Sequence, residues 1–382
     1  MEYLLKVKEV KMESSIEEIR VYKFPLPAST LYNMSSSQVA TPESTIVEII
    51  DSRGVIGYGE ACMATPQAQL STNEGIRAAL QVLAPAVIGA NPLKLSSLRD
   101  VLDEALGGES ESKAALDIAC WDLIGKTLNT KIFDLLGGAK TNTVTTYHVV
   151  GIGEPEIAAQ ATQNLQQSGI RRIQLKAGGR SIDRDIECIK AVSQVLDDCT
   201  TLDVDTNRGW SEEEAVEVSK ACSSISMSLE QPCATEEELQ RIKPHLLHPL
   251  IVDESACDLS TISRMISSGL ANGFGMKISR VGGVTEMQKI RDMCIAQNIP
   301  MSCDDAWGGD IVAAAGVAIA STIPSNLNRG AWLSHPYHQI HYDEINGPRI
   351  EDGYVALPQV EHGLGLSIRQ DFFGDPEFVF EG

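Results

Sequence analysis

The sequence predicts a (β/α)7β barrel of the TIM type, preceded by an α+β capping domain that the C-terminal tail completes. Three observations predict it. First, five short apolar runs end in a charged residue: RIQLK at Lys176, TLDVD at Asp205, SMSLE at Glu230, PLIVD at Asp253 and GFGMK at Lys277. Successive ends lie 29, 25, 23 and 24 residues apart, the length of one strand, one helix and two loops, and a parallel barrel carries its polar groups at the C-terminal ends of its strands. Second, from Thr145 onward apolar runs alternate with amphipathic helices, as in a parallel sheet with crossover helices. Third, 382 residues leave room for a barrel of roughly 200 residues and one smaller domain.

Taken in order, residues 1–15 form an extension. Charges at Glu2, Lys6, Lys8, Glu9 and Lys11 interrupt the apolar run that an export signal needs, and Met12 offers an alternative start. The capping domain is expected over 16–140. It opens with a strand, EEIRVYKF, followed by STIVEIID and VIGYGEA joined at a Ser52-Arg53-Gly54 turn. Helical patterns follow near 73–88, 95–107 and 112–127; the last, SKAALDIACWDLIGK, sets Ala115, Ile118, Ala119 and Leu123 on one face. The barrel is expected over 141–345, with TTYHVVG, IPMSCDD and GAWLSHP as strands one, seven and eight and seven helices between, from EPEIAAQATQNLQQSG to GDIVAAAGVAIAST. Residues 346–382, Gly/Pro-rich and containing the strand-like RIEDGYVALP, are expected to pack back on the capping domain.

Composition excludes several classes of partner. Thirty-one Lys and Arg against 52 Asp and Glu give a net charge of −21, which disfavours nucleic acid and anionic membrane surfaces and favours a small-molecule substrate. No stretch approaches 18 uninterrupted apolar residues, the length of a membrane span. Nine cysteines are scattered without a CxxC spacing, so neither a disulfide framework nor a zinc site is indicated. A cytoplasmic location and a homo-oligomer are expected.

Asp205, Glu230 and Asp253, on strands three, four and five, would be neighbours around the rim and can converge on one hard divalent cation, for which oxygen-only ligation suits Mg²⁺. Singly, each is as well suited to capping the next helix. Lys176 and Lys277, on strands two and six, would face each other across the mouth, one on each face of a substrate held between them. A buried lysine beside a cation can act as a base; a lone strand-end lysine is otherwise a solvated charge. Glu254 is placed to bond Lys277 or to serve as a structural carboxylate. Of Asp304 and Asp305, one would face the substrate and the other cap the loop. Trp332 would offer its ring to a cationic head group or pack the barrel. The seven histidines show no ligand spacing, and His335, His338 and His341 read as surface residues of a polar tail.

The strings SKAALDIACWDLIGK, in the third helix, and IQLKAGG, DVDTNRGW, LEQPC, VDES and MKISRVGG, each at its proper strand end, resemble the enolase superfamily and its muconate-lactonizing-enzyme subgroup from about Ile16 to Phe378. The resemblance implies that Asp205, Glu230 and Asp253 bind Mg²⁺, that Lys176 and Lys277 exchange protons with the carbon next to a carboxylate, and that Gln174, Asn207 and Glu254 support this set. Where the subgroup usually carries Lys-x-Lys, this chain has Gln174-Leu175-Lys176, keeping the proton-transfer lysine and losing its helper. With GFGMKISRVGG, CDDAWGGDI and GAWLSHPYHQIHYD, that departure resembles the hydroxyproline betaine and proline betaine 2-epimerases. It implies a quaternary ammonium held by Asp304 and Trp332, and a pocket capped near Tyr32-Asn33-Met34 and Met63 to Leu70. The leading expectation is a Mg²⁺-dependent 2-epimerase of a proline-type amino acid or betaine, acting through an enediolate. Alternatives are a dehydratase acting on a substrate such as cis-3-hydroxy-L-proline and another amino-acid or dipeptide epimerase. The dipeptide reading is disfavoured because Trp332-Leu333-Ser334 stands where a D-x-D motif is usual. A non-catalytic scaffold is disfavoured by five retained strand-end charges, whose burial costs stability.

Overall fold

The computed structural model describes residues 14–28, 32–33, 38–39, 42–63, 71–305, 307–359 and 362–382. Residues 1–13 of the expected extension lie outside them, as do Met34 and residues 64–70 of the stretches expected to cap the pocket.

Strands β1 (Ile16–Pro25), β2 (Glu43–Asp51) and β3 (Ile56–Cys62) form an antiparallel meander. The β2–β3 turn is held by the Asp51 carboxylate, which accepts from the Arg53 and Val55 amides, and by Gly54 at φ +76°. Helices α1 (Asn73–Val87), α2 (Leu95–Ala105) and α3 (Ser110–Leu128) share one apolar cluster with this sheet, including Ile19, Ile49, Leu80, Leu83 and Leu116. Contact between α3 and β3 is close: a Cβ at Gly59 would stand 1.8 Å from the Ala115 carbonyl oxygen. Ala115, Ile118, Ala119 and Leu123 are buried as expected, yet nearly all of α3 from Glu111 to Gly125 is buried too. The barrel covers its other side, where the Trp121 indole donates to Thr285 at 2.9 Å.

Seven parallel strands pair in chain order: β4 (His148–Val150), β5 (Arg172–Lys176), β6 (Thr201–Asp205), β7 (Ser228–Glu230), β8 (Leu250–Val252), β9 (Gly273–Lys277) and β10 (Met301–Asp304). The seven expected helices follow them: α4 (Pro155–Gln167), α5 (Ile182–Ser193), α6 (Glu212–Ala221), α7 (Glu236–Ile242), α8 (Leu259–Ser267), α9 (Val284–Ala296) and α10 (Asp310–Ala320). Capping boxes, Ser211 with Glu214 and Thr235 with Glu238, start α6 and α7, and Asp258 caps α8.

The eighth strand expected at GAWLSHP is not a regular one. Residues 327–332 instead bond to both edges of the sheet, with the Cys303 amide donating to the Gly330 carbonyl at 3.0 Å and the Ala331 amide to the Thr145 carbonyl at 2.9 Å, and so close the ring. Gly330, at φ +83°, passes so near Thr145 that a Cβ would lie 2.4 Å from its carbonyl oxygen, which breaks a continuous ladder. The tail divides. The hairpin Ile350–Glu351 and Tyr354–Ala356 pairs with Thr143–Thr145, ahead of β4 and away from the first sheet, whereas β11 (Phe378–Glu381) pairs with β1. No helix among the described residues is long and apolar enough to cross a membrane.

Candidate active site

Side chains two apart on a strand share a face, so register decides which groups meet inside the barrel. Lys176 is level with Asp205, Asp205 with Glu230, and Lys277 with Asp304. All five strand-end carboxylates and lysines expected from the sequence are thereby brought to one end of the sheet. Lys176 on β5 and Lys277 on β9 are separated by the three strands that carry or precede Asp205, Glu230 and Asp253.

The lysines engage the carboxylates directly. The Lys176 ammonium donates to Asp205, and that of Lys277 to Asp253 at 2.6 Å. Arg280 donates to the other oxygen of Asp253 at 2.7 Å. Asn207 bridges two acids, donating from its side chain to Asp205 and to Glu254, each at 3.0 Å. Of the two roles expected for Glu254, a bond to Lys277 and that of a structural carboxylate, the structure shows the second: Glu254 accepts from Asn207. Burial raises the Asp253 carboxyl, but Arg280 and Lys277 outweigh it and hold the group below the usual carboxylate range. Burial also lowers the Lys277 ammonium, and the charge of Asp253 more than reverses that. Glu230 goes the opposite way, pushed well up by burial and by the neighbouring charges of Asp205 and Asp253, and Glu254 is pushed up to about 7 by burial and Asp253. Gln174 is buried two residues before Lys176 on the same face.

Among the described residues no three carboxylate, imidazole or thiol groups stand at metal-ligating spacing, with Asp205 and Asp253 each bonded to a lysine. The donor set nevertheless fits a hard cation. Its oxygens are all carboxylate, and one of them, Glu230 Oε2, is buried without a hydrogen-bond partner.

Asp304 and Asp305 separate as alternation requires. Asp304 accepts from the Trp332 amide at 2.8 Å and the Ser302 hydroxyl at 2.9 Å, and burial raises its carboxyl. Asp305 is the loop cap, accepting from the Trp307 and Ser334 amides; burial pushes it up to about 7. Trp332 lies in an aromatic wall with Trp307 (centroids 5.1 Å apart) and Tyr337 (6.1 Å), against buried Tyr147 and Cys62.

Several groups escaped the sequence reading. Arg172 and Asp203 continue the inward face below Lys176 and Asp205. Arg172 bonds Asp203, lies 3.9 Å over the Tyr147 ring, and reaches within 3.9 Å of Glu230; Arg329 meets Asp203 from the other side at 2.8 Å. The two-residue period, Arg172-x-Gln174-x-Lys176 and Asp203-x-Asp205, was the available signal. Tyr337 meets His148 at 2.9 Å, a pairing across 189 residues with no local signal. The surface role expected of His335 and His338 is overturned: both are buried. His338 Nε2 lies within hydrogen-bond reach of the Gly308 carbonyl and the Ser334 hydroxyl, and His335 Nε2 accepts from the Ile350 amide. Burial lowers them to about 4 and about 3 respectively.

The chain matches known protein families over most of its length. Residues 18–137 match the mandelate racemase / muconate lactonizing enzyme N-terminal domain family, and residues 156–372 the enolase C-terminal domain-like family. Over 363 residues the chain is 37% identical to cis-3-hydroxy-L-proline dehydratase of Roseibium aggregatum, covering 94% of this chain and 98% of that protein. N-succinyl-L-Arg/Lys racemase of Bacillus cereus is 25% identical over 364 residues, covering 93% and 96%. A solved enolase superfamily member from Roseovarius nubinhibens ISM, complexed with magnesium, superposes with a TM-score of 0.92 at 28% identity, covering 97% of this chain and all of that one.

Proposed function

The chain belongs to the mandelate racemase/muconate lactonizing enzyme family of the enolase superfamily, and from that premise we propose that it removes the α-proton of a proline-type carboxylate between Lys176 and Lys277. It is an enzyme, with epimerases, racemases and a dehydratase among its relatives. The observation that carries the reading is the placement of two lysine ammonium groups, buried on β5 and partly buried on β9, with three acid-bearing strand ends between them.

Asp205, Glu230 and Asp253 would hold Mg²⁺, which when bound offsets the substrate carboxylate and the negative charge that grows on it as the α-proton leaves. Asn207 and Arg280 orient Asp205 and Asp253 for that task. The lysines do the proton transfer. In cis-3-hydroxy-L-proline the hydroxyl and carboxylate share a ring face, so the α-proton and the hydroxyl lie on opposite faces. One lysine amine takes the α-proton; the C–O bond breaks, the other lysinium protonates the departing hydroxyl to water, and the C–H electron pair becomes a ring C=C bond. This elimination needs an acid and a base on opposite faces, and two lysines across the mouth supply them. Similarity to a dehydratase at 37% identity supports this outcome.

A second reading, 2-epimerisation of a proline or hydroxyproline betaine, is favoured by the aromatic wall of Trp332, Trp307 and Tyr337 beside Asp304. A quaternary ammonium donates no N–H bond and is held by ring faces and a carboxylate. There the second lysinium returns a proton to the opposite face of the same carbon. Proton NMR in D₂O with Mg²⁺ separates the two using cis-3-hydroxy-L-proline, proline betaine and 4-hydroxyproline betaine. Loss of water means dehydration, and inversion with deuterium at Cα means epimerisation. Absence of α-exchange in all three would sink both readings.

A further inference from the structure

We propose that Glu60, a carboxylate of the first sheet, positions the aromatic wall of the site by holding Trp307 against Trp332; this rests on the reading that the wall seats the substrate. α9 and α10 are preceded by Gly283 and Gly309, so neither has a capping side chain of its own, unlike α6, α7 and α8. The first domain supplies both caps. Asp117 of α3 accepts from the Thr285 amide at 3.0 Å and from its hydroxyl. Glu60 of β3 accepts from the Gly309 amide at 2.7 Å and the Val312 amide at 3.0 Å. Its other donors are the hydroxyls of Ser44 and, at 2.7 Å, Tyr342, so this fully buried carboxylate is satisfied on both oxygens. The approach depends on two glycines. A Cβ at Gly308 would meet Val312 at 2.3 Å and the Glu60 carboxyl carbon at 2.9 Å, and one at Gly309 would meet the Tyr342 ring at 2.4 Å.

What sets the Glu60 cap apart is the residue just before it. Trp307 has φ +82°, a conformation that a bulky side chain keeps only where its surroundings impose it. The surrounding contacts do so: the Trp307 amide donates to Asp305 at 3.0 Å, the Gly308 carbonyl accepts from the Ser334 hydroxyl at 2.6 Å and lies 3.2 Å from His338 Nε2, and the Gly309 amide donates to Glu60. Releasing the last lets the backbone relax and turns the indole away from Trp332. The Asp117 cap adjoins no such residue and provides the comparison.

Glu60→Gln replaces one acceptor oxygen by an NH₂ group that cannot accept from a backbone amide. Glu60→Gln, Tyr342→Phe and Asp117→Asn are compared by steady-state kinetics and by the near-UV circular dichroism of the Trp307–Trp332 pair, assigned through its loss in Trp332→Phe. Glu60→Gln should raise KM about tenfold, with kcat changed less than about threefold, and lose the dichroic band. Tyr342→Phe, which removes one bond to Glu60 and keeps the ring, should move both readouts part of the way. Asp117→Asn should lower stability and move neither. A wild-type KM or an intact band in Glu60→Gln overturns the proposal, as does an equal rise in KM in Asp117→Asn, which would mean that domain docking alone is at work. Should Glu60→Gln fail to fold, a wild-type KM in Tyr342→Phe overturns it. If the native enzyme turns over no proline-type substrate, the reaction reading falls, and the dichroic band still decides whether Glu60 positions Trp307.

Discussion

Replacing one lysine at a time separates the two faces of the reaction. Lys277→Ala removes an ammonium 2.6 Å from Asp253, yet Asp253 keeps Arg280 at 2.7 Å as a buried counter-charge. Lys176→Ala is harsher on its carboxylate, because Asp205 then keeps only the Asn207 amide and side chain, which are neutral donors. Loss of a positioned acid or base costs about 10² to 10⁴ in rate, or about 3 to 5 kcal/mol of barrier. Both variants should therefore lose dehydration and inversion by that factor. Each should still exchange the α-proton of the one enantiomer whose proton points at the surviving lysine. The structural asymmetry adds a second expectation: Lys176→Ala should gain more thermal stability from Mg²⁺ than Lys277→Ala, since its less compensated carboxylate has more to gain from a cation. The assay is deuterium incorporation into separate L and D substrates by NMR, with thermal unfolding at graded Mg²⁺. Wild-type inversion or dehydration in either variant, or exchange lost equally for both enantiomers in both, refutes the two-base arrangement.

Chelation with EDTA should abolish turnover and added Mg²⁺ restore it, with Glu230→Gln inactive at any Mg²⁺ concentration; full turnover in EDTA would remove the metal from the mechanism. Trp332→Leu should weaken a betaine more than free proline, which keeps its own N–H donors. A desolvated cation–π contact of about 2 kcal/mol predicts about a thirtyfold difference in the kcat/KM ratio, and an equal loss for both substrates would reduce Trp332 to packing. Burial holds His338 at about 4 in the folded chain, below its ordinary value of 6.5. A depressed folded value gives stability that is complete above 6.5 and lost as pH falls towards 4, at most about 3 kcal/mol. His338→Gln should flatten the acid limb of a denaturant-monitored stability profile between those values, and an unchanged slope would show that carboxylates alone set it.

What could be read from the chain was periodic. Strand-end charges recur at the βα repeat, so Lys176, Asp205, Glu230, Asp253 and Lys277 were legible before any coordinate, and helix starts such as Ser211 and Thr235 advertise their own caps. What could not be read depends on contacts between distant segments. GAWLSHP has the composition of a strand, but the near-contact of Gly330 with Thr145 decides that it closes the ring by single bridges. His335 and His338 look like tail residues until the chain folds over them, and no local pattern distinguishes a buried imidazole from an exposed one. Asn207 claims Glu254 because its left-handed φ of +47° brings its amide between two acids. The barrel interior makes the same point most sharply. A closed barrel is ordinarily filled by branched apolar side chains, and a reading that stops at strand ends assumes as much. Here Arg172, Asp203 and Arg329 put charge one layer below the candidate metal carboxylates. Charges this deep are tolerable only as a mutually bonded set, so none of the three can be interpreted singly from sequence. Their partners, 31 and 126 residues away for Asp203, make sense of them.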